Sequence, residues 1–221
     1  MIYFGQPSMN KAVHLFLRVC LISAFNLPFC KAQSLSSLDE SAFMTMQKWR
    51  NPVVEKTSTA FSSSVVPVAA LVPVALGWLS YHKTDSSFFQ SALVVAGSAA
   101  IGFGMAQALK PIFRRNPPDD FTTQNQSVLP FSSQWSFPSG HTSTAFATAV
   151  SMSLNYPRWE VICPSMVWAG GVGISRILLG QHHPGDVLAG AAIGSATAWL
   201  TNRLSRKLNA KKIRLPRRKP D

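Results

Sequence analysis

The residues that could do chemistry are concentrated between Ser175 and Asp186, in the stretch SRILLGQHHPGD. An arginine closes an apolar run, a histidine follows six positions later, and an aspartate four beyond that. Proline is favoured in the first turn of a helix, so a helix starting near Pro184 sets His182 at its mouth and Asp186 one turn inside. The two side chains can then face each other. An aspartate bonded to one imidazole nitrogen fixes the tautomer and leaves the other nitrogen free to attack, with Arg176 holding the anion that is attacked. The same pair also fits a plainer role, a polar cap and a first-turn charge suited to the helix macrodipole. Taken alone, the stretch does not choose between them.

A second cluster, Pro138 to Thr142, reads PSGHT and opens a long apolar segment. Ser139 suits an N-cap, Gly140 lets backbone approach a ligand, and the free N–H groups of such a helix start attract phosphate or sulfate. His141 would sit at the rim of that site. Upstream, Lys110 ends another apolar run and is followed by PIFRRNPPDD, whose cations also read as interfacial side chains reaching for water. All three clusters fall at the ends of predicted membrane helices.

With these residues in place the sequence resembles the type 2 phosphatidic acid phosphatase superfamily, which includes membrane lipid phosphatases. The family signature is a lysine, six residues and Arg-Pro; then Pro-Ser-Gly-His; then Ser-Arg, five residues, His, three residues, Asp. The second part matches at Pro138, Ser139, Gly140 and His141, and the third at Ser175, Arg176, His182 and Asp186. The first departs, because Pro117 stands where the arginine is expected after Lys110. The resemblance covers roughly residues 60 to 203.

The resemblance implies a metal-independent phosphatase, without cofactor, working through a phosphohistidine. By that analogy His182 attacks phosphorus, Asp186 orients it, and His141 protonates the leaving oxygen. Lys110, Ser139, Gly140 and Arg176 would bind the phosphoryl oxygens as charge spreads over them. Arg114 or Arg115 would have to supply the missing arginine, and Arg115 is included in the expected phosphate site. The alternatives are a catalytically weakened member of the same fold and a lipid phosphotransferase.

The elements that must position these residues follow from composition. The chain has 221 residues, 47% hydrophobic and 14% charged, enough for one domain. Five apolar segments, 60–81, 88–109, 138–156, 159–179 and 184–204, each approach the ~20 residues that cross a bilayer. The expected fold is an all-α polytopic membrane bundle with five mature spans, or six if the N-terminal segment stays. Gly190 and Gly194 form a GxxxG spacing, Gly170, Gly171 and Gly173 suit close helix contact, and Pro67 and Pro73 should kink the first span.

Outside the expected phosphatase domain at 59–204, residues 1–32 read as a signal peptide or as an uncleaved anchor reaching back to His14. Residues 33–58 form an outer-face segment in which Phe43, Met46 and Trp49 recur every third position. Ser41 to Arg50 is therefore an amphipathic helix, on the membrane surface or packed on its own bundle. Residues 205–221 are a basic tail. Formal net charge is +12 and much of it lies there, which places the tail in the cytoplasm and Lys110, His141, Arg176 and His182 on the outer face. The expected location is a bacterial inner membrane with the site facing the periplasm or outside.

The basic tail reads more simply as a topology determinant than as a nucleic-acid site. No zinc spacing, P-loop or Gly-rich nucleotide motif occurs, and Cys20, Cys30 and Cys163 give no disulfide framework. The loop from Pro111 to Phe137 carries Phe121, Phe131, Trp135 and Phe137, suited to an acyl or prenyl chain beside the phosphate. The expected partner is a lipid phosphate or prenyl diphosphate in the bilayer. Undecaprenyl diphosphate and lipid A phosphate lead over phosphatidylglycerol phosphate and phosphatidic acid.

Overall fold

Apolar runs separated by short polar turns bearing Asn, Asp or Pro should fold as capped helices, and they do. The structure, a computed structural model, describes residues 32–118 and 134–214, and these contain seven helices. They are α1 (Ala32–Gln47), α2 (Pro52–Ser63), α3 (Val65–Lys83), α4 (Ser86–Phe113), α5 (Gly140–Asn155), α6 (Trp159–Leu178) and α7 (Pro184–Arg214). Asn51 caps α2 by accepting from the Val53 and Val54 N–H groups, and Asp85 caps α4 through Ser87 N–H. Thr84 and Arg114, both left-handed, close α3 and α4.

Helices α3, α4 and α6 are long and apolar enough to cross a membrane. Helix α5, with 16 residues, is shorter and lies at the centre, packed by α4, α6 and α7. Its Ala145, Ala147, Ala149 and Val150 are buried, and so are its Thr142, Ser143, Thr148 and Ser151. Such a polar helix is stable inside a bundle because its hydroxyls are bonded. Ser143 donates to Gly102 O at 2.8 Å, Asn202 Nδ2 to Ser151 Oγ at 3.0 Å, and Asn155 Nδ2 to Asn202 Oδ1 at 2.7 Å.

The glycine spacing explains how closely these helices approach. A Cβ on Gly194 would run into Ser143 O and Ala147 N, and one on Gly190 into Ser139 O, so the GxxxG pair of α7 faces the backbone of α5. Gly171 and Gly173 likewise meet Phe61 and Val187, whereas Gly170 has open space beside it.

Three expectations are corrected. The first apolar segment is not one span from residue 60 to 81, because Ser64 ends α2 and begins α3. Pro67 explains the break: its ring clashes with the carbonyl four residues earlier, at Ser63. The segment after residue 32 is helical over Ala32–Gln47, not Ser41–Arg50, and Phe43, only 1% exposed, packs on the bundle, as the second of the two alternatives has it. Helix α7 continues past Leu204 to Arg214, carrying the start of the basic tail. The expected signal segment, Cys20 and Cys30, the loop residues Phe121 and Phe131, and the last seven residues lie outside the described residues.

Gly194→Ala should lower stability by at least about 2 kcal/mol, since the methyl group meets backbone that cannot move aside. Gly104→Ala, with nothing within 4 Å of its Cβ, should be neutral or stabilising by up to about 1 kcal/mol. Unfolding of the two variants in detergent measures the difference.

Candidate active site

Four helix ends meet at one end of the bundle: the last turns of α4 and α6 and the first turns of α5 and α7. The α6–α7 turn sets the geometry. Gly180, at φ 69°, takes the left-handed conformation that reverses the chain, and Gln181 N–H bonds back to Arg176 O at 3.1 Å. Helix α7 then starts at Pro184 with His183 as its cap, since His183 O accepts from Asp186 N–H at 3.0 Å. Asp186 reaches back, its Oδ2 accepting from His183 N–H at 3.0 Å, the half of a capping box in which the third residue of the helix bonds the cap. The main-chain O of Asp186 accepts from Ser139 N–H at 3.0 Å and so joins the starts of α5 and α7.

The Asp186 carboxylate is wholly buried. One oxygen accepts from Arg115 Nη1 at 2.9 Å; the other lies 3.5 Å from His182 Nδ1 and 3.6 Å from His183 Nδ1. The helix-cap role and the imidazole-facing role expected of Asp186 therefore coexist. His182 is 5% exposed, in the turn between two helices. Burial disfavours its charged form and lowers its pKa from 6.5 to about 4, against the opposing pull of Asp186. Its imidazole is neutral at pH 7.

The buried cations stand differently. Lys110 Nζ donates to Trp135 O at 2.7 Å, and Arg176 Nη1 to Ser62 Oγ of α2 at 2.6 Å. Arg176 Nε, buried, has no partner among the described residues. Among the described residues neither cation makes an ion pair, although Lys110 is 7% and Arg176 5% exposed. Both, with His182, lie near enough to His141 to act on it electrostatically. Ser139 caps α5, its Oγ accepting from Thr142 Oγ1 at 2.9 Å and Thr142 N–H at 3.5 Å, and Gly140 begins the first turn. The expected residues are thus brought together.

The missing arginine has a specific outcome. Pro117 is half-buried, Arg114 is exposed and bonds locally to Pro111 O, and Arg115 is the side chain that reaches in. Its guanidinium binds two carboxylates, Asp186 and, at 2.6 Å through Nη2, Asp39 of α1. The sequence expected a helix overlapping α1 but not that its side chains enter the site. Asp39 Oδ1 accepts from Gly185 N–H at 2.7 Å, Glu40 lies 3.1 Å from His183 Nε2, and Gln47 Nε2 donates to Ile177 O at 2.6 Å. The available signal was slight: an adjacent acid pair in a chain holding nine acidic residues.

At one end of this helical membrane bundle a buried histidine stands beside a buried carboxylate, with two buried cations that have no counter-ion among the described residues. The chain belongs to the PAP2 superfamily, whose profile matches residues 91–210. It is similar to the lipid A 1-phosphatase of Rhizobium johnstonii, 36% identical over 102 residues. That match covers 44% of this chain and 41% of the relative, so the chain spans less than half of that protein. It is also similar to phosphatidylglycerophosphatase B of Bacillus subtilis, 28% identical over 210 residues, covering 90% of this chain and 97% of the relative. Two crystal structures share the fold at 22% identity. They are the transmembrane PAP2-type phosphatidylglycerolphosphate phosphatase of Bacillus subtilis (TM-score 0.60, 90% of this chain and 96% of that one) and Aquifex aeolicus LpxE (TM-score 0.59, 75% and 95%).

His182 should titrate well below 6.5, near 4, in an imidazole NMR titration of the folded protein. Because its folded pKa is depressed, its contribution to stability is present above 6.5 and is lost as pH falls toward 4, so unfolding should become easier across that window.

Proposed function

We propose that this protein is an integral membrane lipid phosphatase that hydrolyses a phosphomonoester or diphosphate headgroup through a phosphohistidine at His182. The observation that carries the reading is the pair of buried cations, Lys110 and Arg176, without a carboxylate of their own among the described residues, beside a neutral imidazole. A buried charge left unpaired is costly, and a bound phosphate would remove that cost. Asp186, paired with Arg115, is the carboxylate facing His182 among the described residues, and its role in this reading is orientation.

In this mechanism His182 Nε2 attacks phosphorus while the bond to the leaving oxygen breaks, and His141 gives that oxygen its proton. Lys110, Arg176 and the Ser139–Gly140 end of α5 hold the phosphoryl oxygens as negative charge develops on them. Water then attacks the phosphohistidine, with His141 taking its proton, and phosphate leaves. Arg115, paired with Asp186 and Asp39, holds the orienting carboxylate and does not bind the phosphate directly. No metal is required in this scheme.

The lipid tail stays in the bilayer, with Phe113 and Phe137, 4.8 Å apart at the mouth, beside it. The basic end of α7 favours a cytoplasmic C-terminus and hence a site on the outer face of an inner membrane. A prenyl diphosphate or a lipid A phosphate is the substrate class best suited to that position. The names of the relatives, lipid A 1-phosphatase and undecaprenyl-diphosphatase among them, agree with a lipid phosphate.

Purified protein in detergent, with excess chelator, should release phosphate from one or more of undecaprenyl diphosphate, lipid A, phosphatidylglycerol phosphate and phosphatidic acid. His182→Ala should lower that rate by at least about 1,000-fold. Equal release by both proteins, or none from any of the four lipids, refutes the reading.

A further inference from the structure

We propose that Asp39 of α1 is a positioning residue for the reaction, acting through Arg115 on Asp186 and thereby on His182. The inference rests on the phosphatase reading and extends it to a helix that lies outside the family match at 91–210.

The geometry is a chain of contacts with one junction. Arg115 places Nη1 2.9 Å from Asp186 Oδ1 and Nη2 2.6 Å from Asp39 Oδ2, so one planar guanidinium bridges two carboxylates. Asp186 in turn lies 3.5 Å from His182 Nδ1. Asp39 is itself fixed by a second bond, from Gly185 N–H at 2.7 Å, within the first turn of α7 one residue before Asp186. It therefore holds both the arginine that binds Asp186 and the backbone that carries it. Glu40 reinforces the same docking on the neighbouring His183, at 3.1 Å, and Phe43 packs its ring against His183 with centroids 5.6 Å apart.

Charge arithmetic gives Asp39 a reason to be there. Without it, Arg115 would have a single buried carboxylate partner, and the freed Nη2 would turn toward any other acceptor, including the substrate phosphate. With it, the guanidinium is held in place from both sides and the Asp186 carboxylate keeps one orientation. A nucleophile whose orienting carboxylate wanders by even 1 Å loses turnover more than binding. Loss of Asp39 should therefore appear in kcat and leave KM near its wild-type value.

The test uses the full chain in detergent on whichever of the four lipids turns over fastest. Asp39→Asn should lower kcat by about tenfold or more with KM changed by less than about twofold, and Asp39→Glu, which keeps the charge, should be the more active of the two variants. Combining Asp39→Asn with Arg115→Gln should cost no more than Arg115→Gln alone, because both act on the same link. Glu55→Gln, an exposed partner of Arg50 on α2, should keep kcat within about twofold. A wild-type kcat in Asp39→Asn, or losses that multiply in the double variant, overturns the inference while the phosphatase reading stands. Wild-type protein that releases no phosphate from any of the four lipids overturns both.

Discussion

The rest of the structure depends on a carboxylate with no access to water. Asp186 is fully buried, and a buried carboxylate persists as an ion only where donors surround it. The fold meets that demand with donors from two places in the chain, the His183 N–H of its own helix cap and the Arg115 guanidinium from the end of α4, while the His182 imidazole stands 3.5 Å away. Meeting it fixes the entry of α7, and the main-chain bond from Ser139 to Asp186 then fixes the entry of α5. Electrostatic satisfaction of one side chain and alignment of two helix starts are the same event.

Against this saturated anion the two cations form a contrast. Lys110 and Arg176 are buried behind neutral acceptors, a carbonyl and a hydroxyl, and are left with charge to offer. Positive charge that is preorganised and desolvated interacts most strongly with the species carrying the most negative charge, which for phosphoryl transfer is the transition state. The neighbouring imidazole is neutral because burial pushes its protonation down toward pH 4. The site is thus arranged so that an unprotonated imidazole stands beside two buried cations.

Much of this was legible in the sequence, for reasons that are local. Pro184 and Ser139 announce helix starts, His182 and Asp186 are one turn apart, and Gly190 and Gly194 mark the face of α7 that meets α5. Each signal lies within a few residues of its effect. What escaped was non-local. Asp39 meets Gly185 across 146 positions and Gln47 meets Ile177 across 130, and no periodicity encodes a partner at that range. Phe43 read as one rung of an amphipathic stripe, whereas it is a docking residue beside the His183 ring. Pro117 pointed to a lost arginine, yet a neighbour two positions earlier entered the site because Arg114 takes the left-handed turn that closes α4 and redirects the chain.

The central claim is that the anion held by the two cations is attacked by His182. The most direct measurement is to mix the protein with its lipid, quench within milliseconds, and map the phosphoryl group by peptide mass spectrometry. The account predicts a phosphoryl group on His182, stable in alkali and lost in acid. A phosphoryl group on another side chain, or turnover with the site trapped at no stage as a covalent adduct, would contradict it.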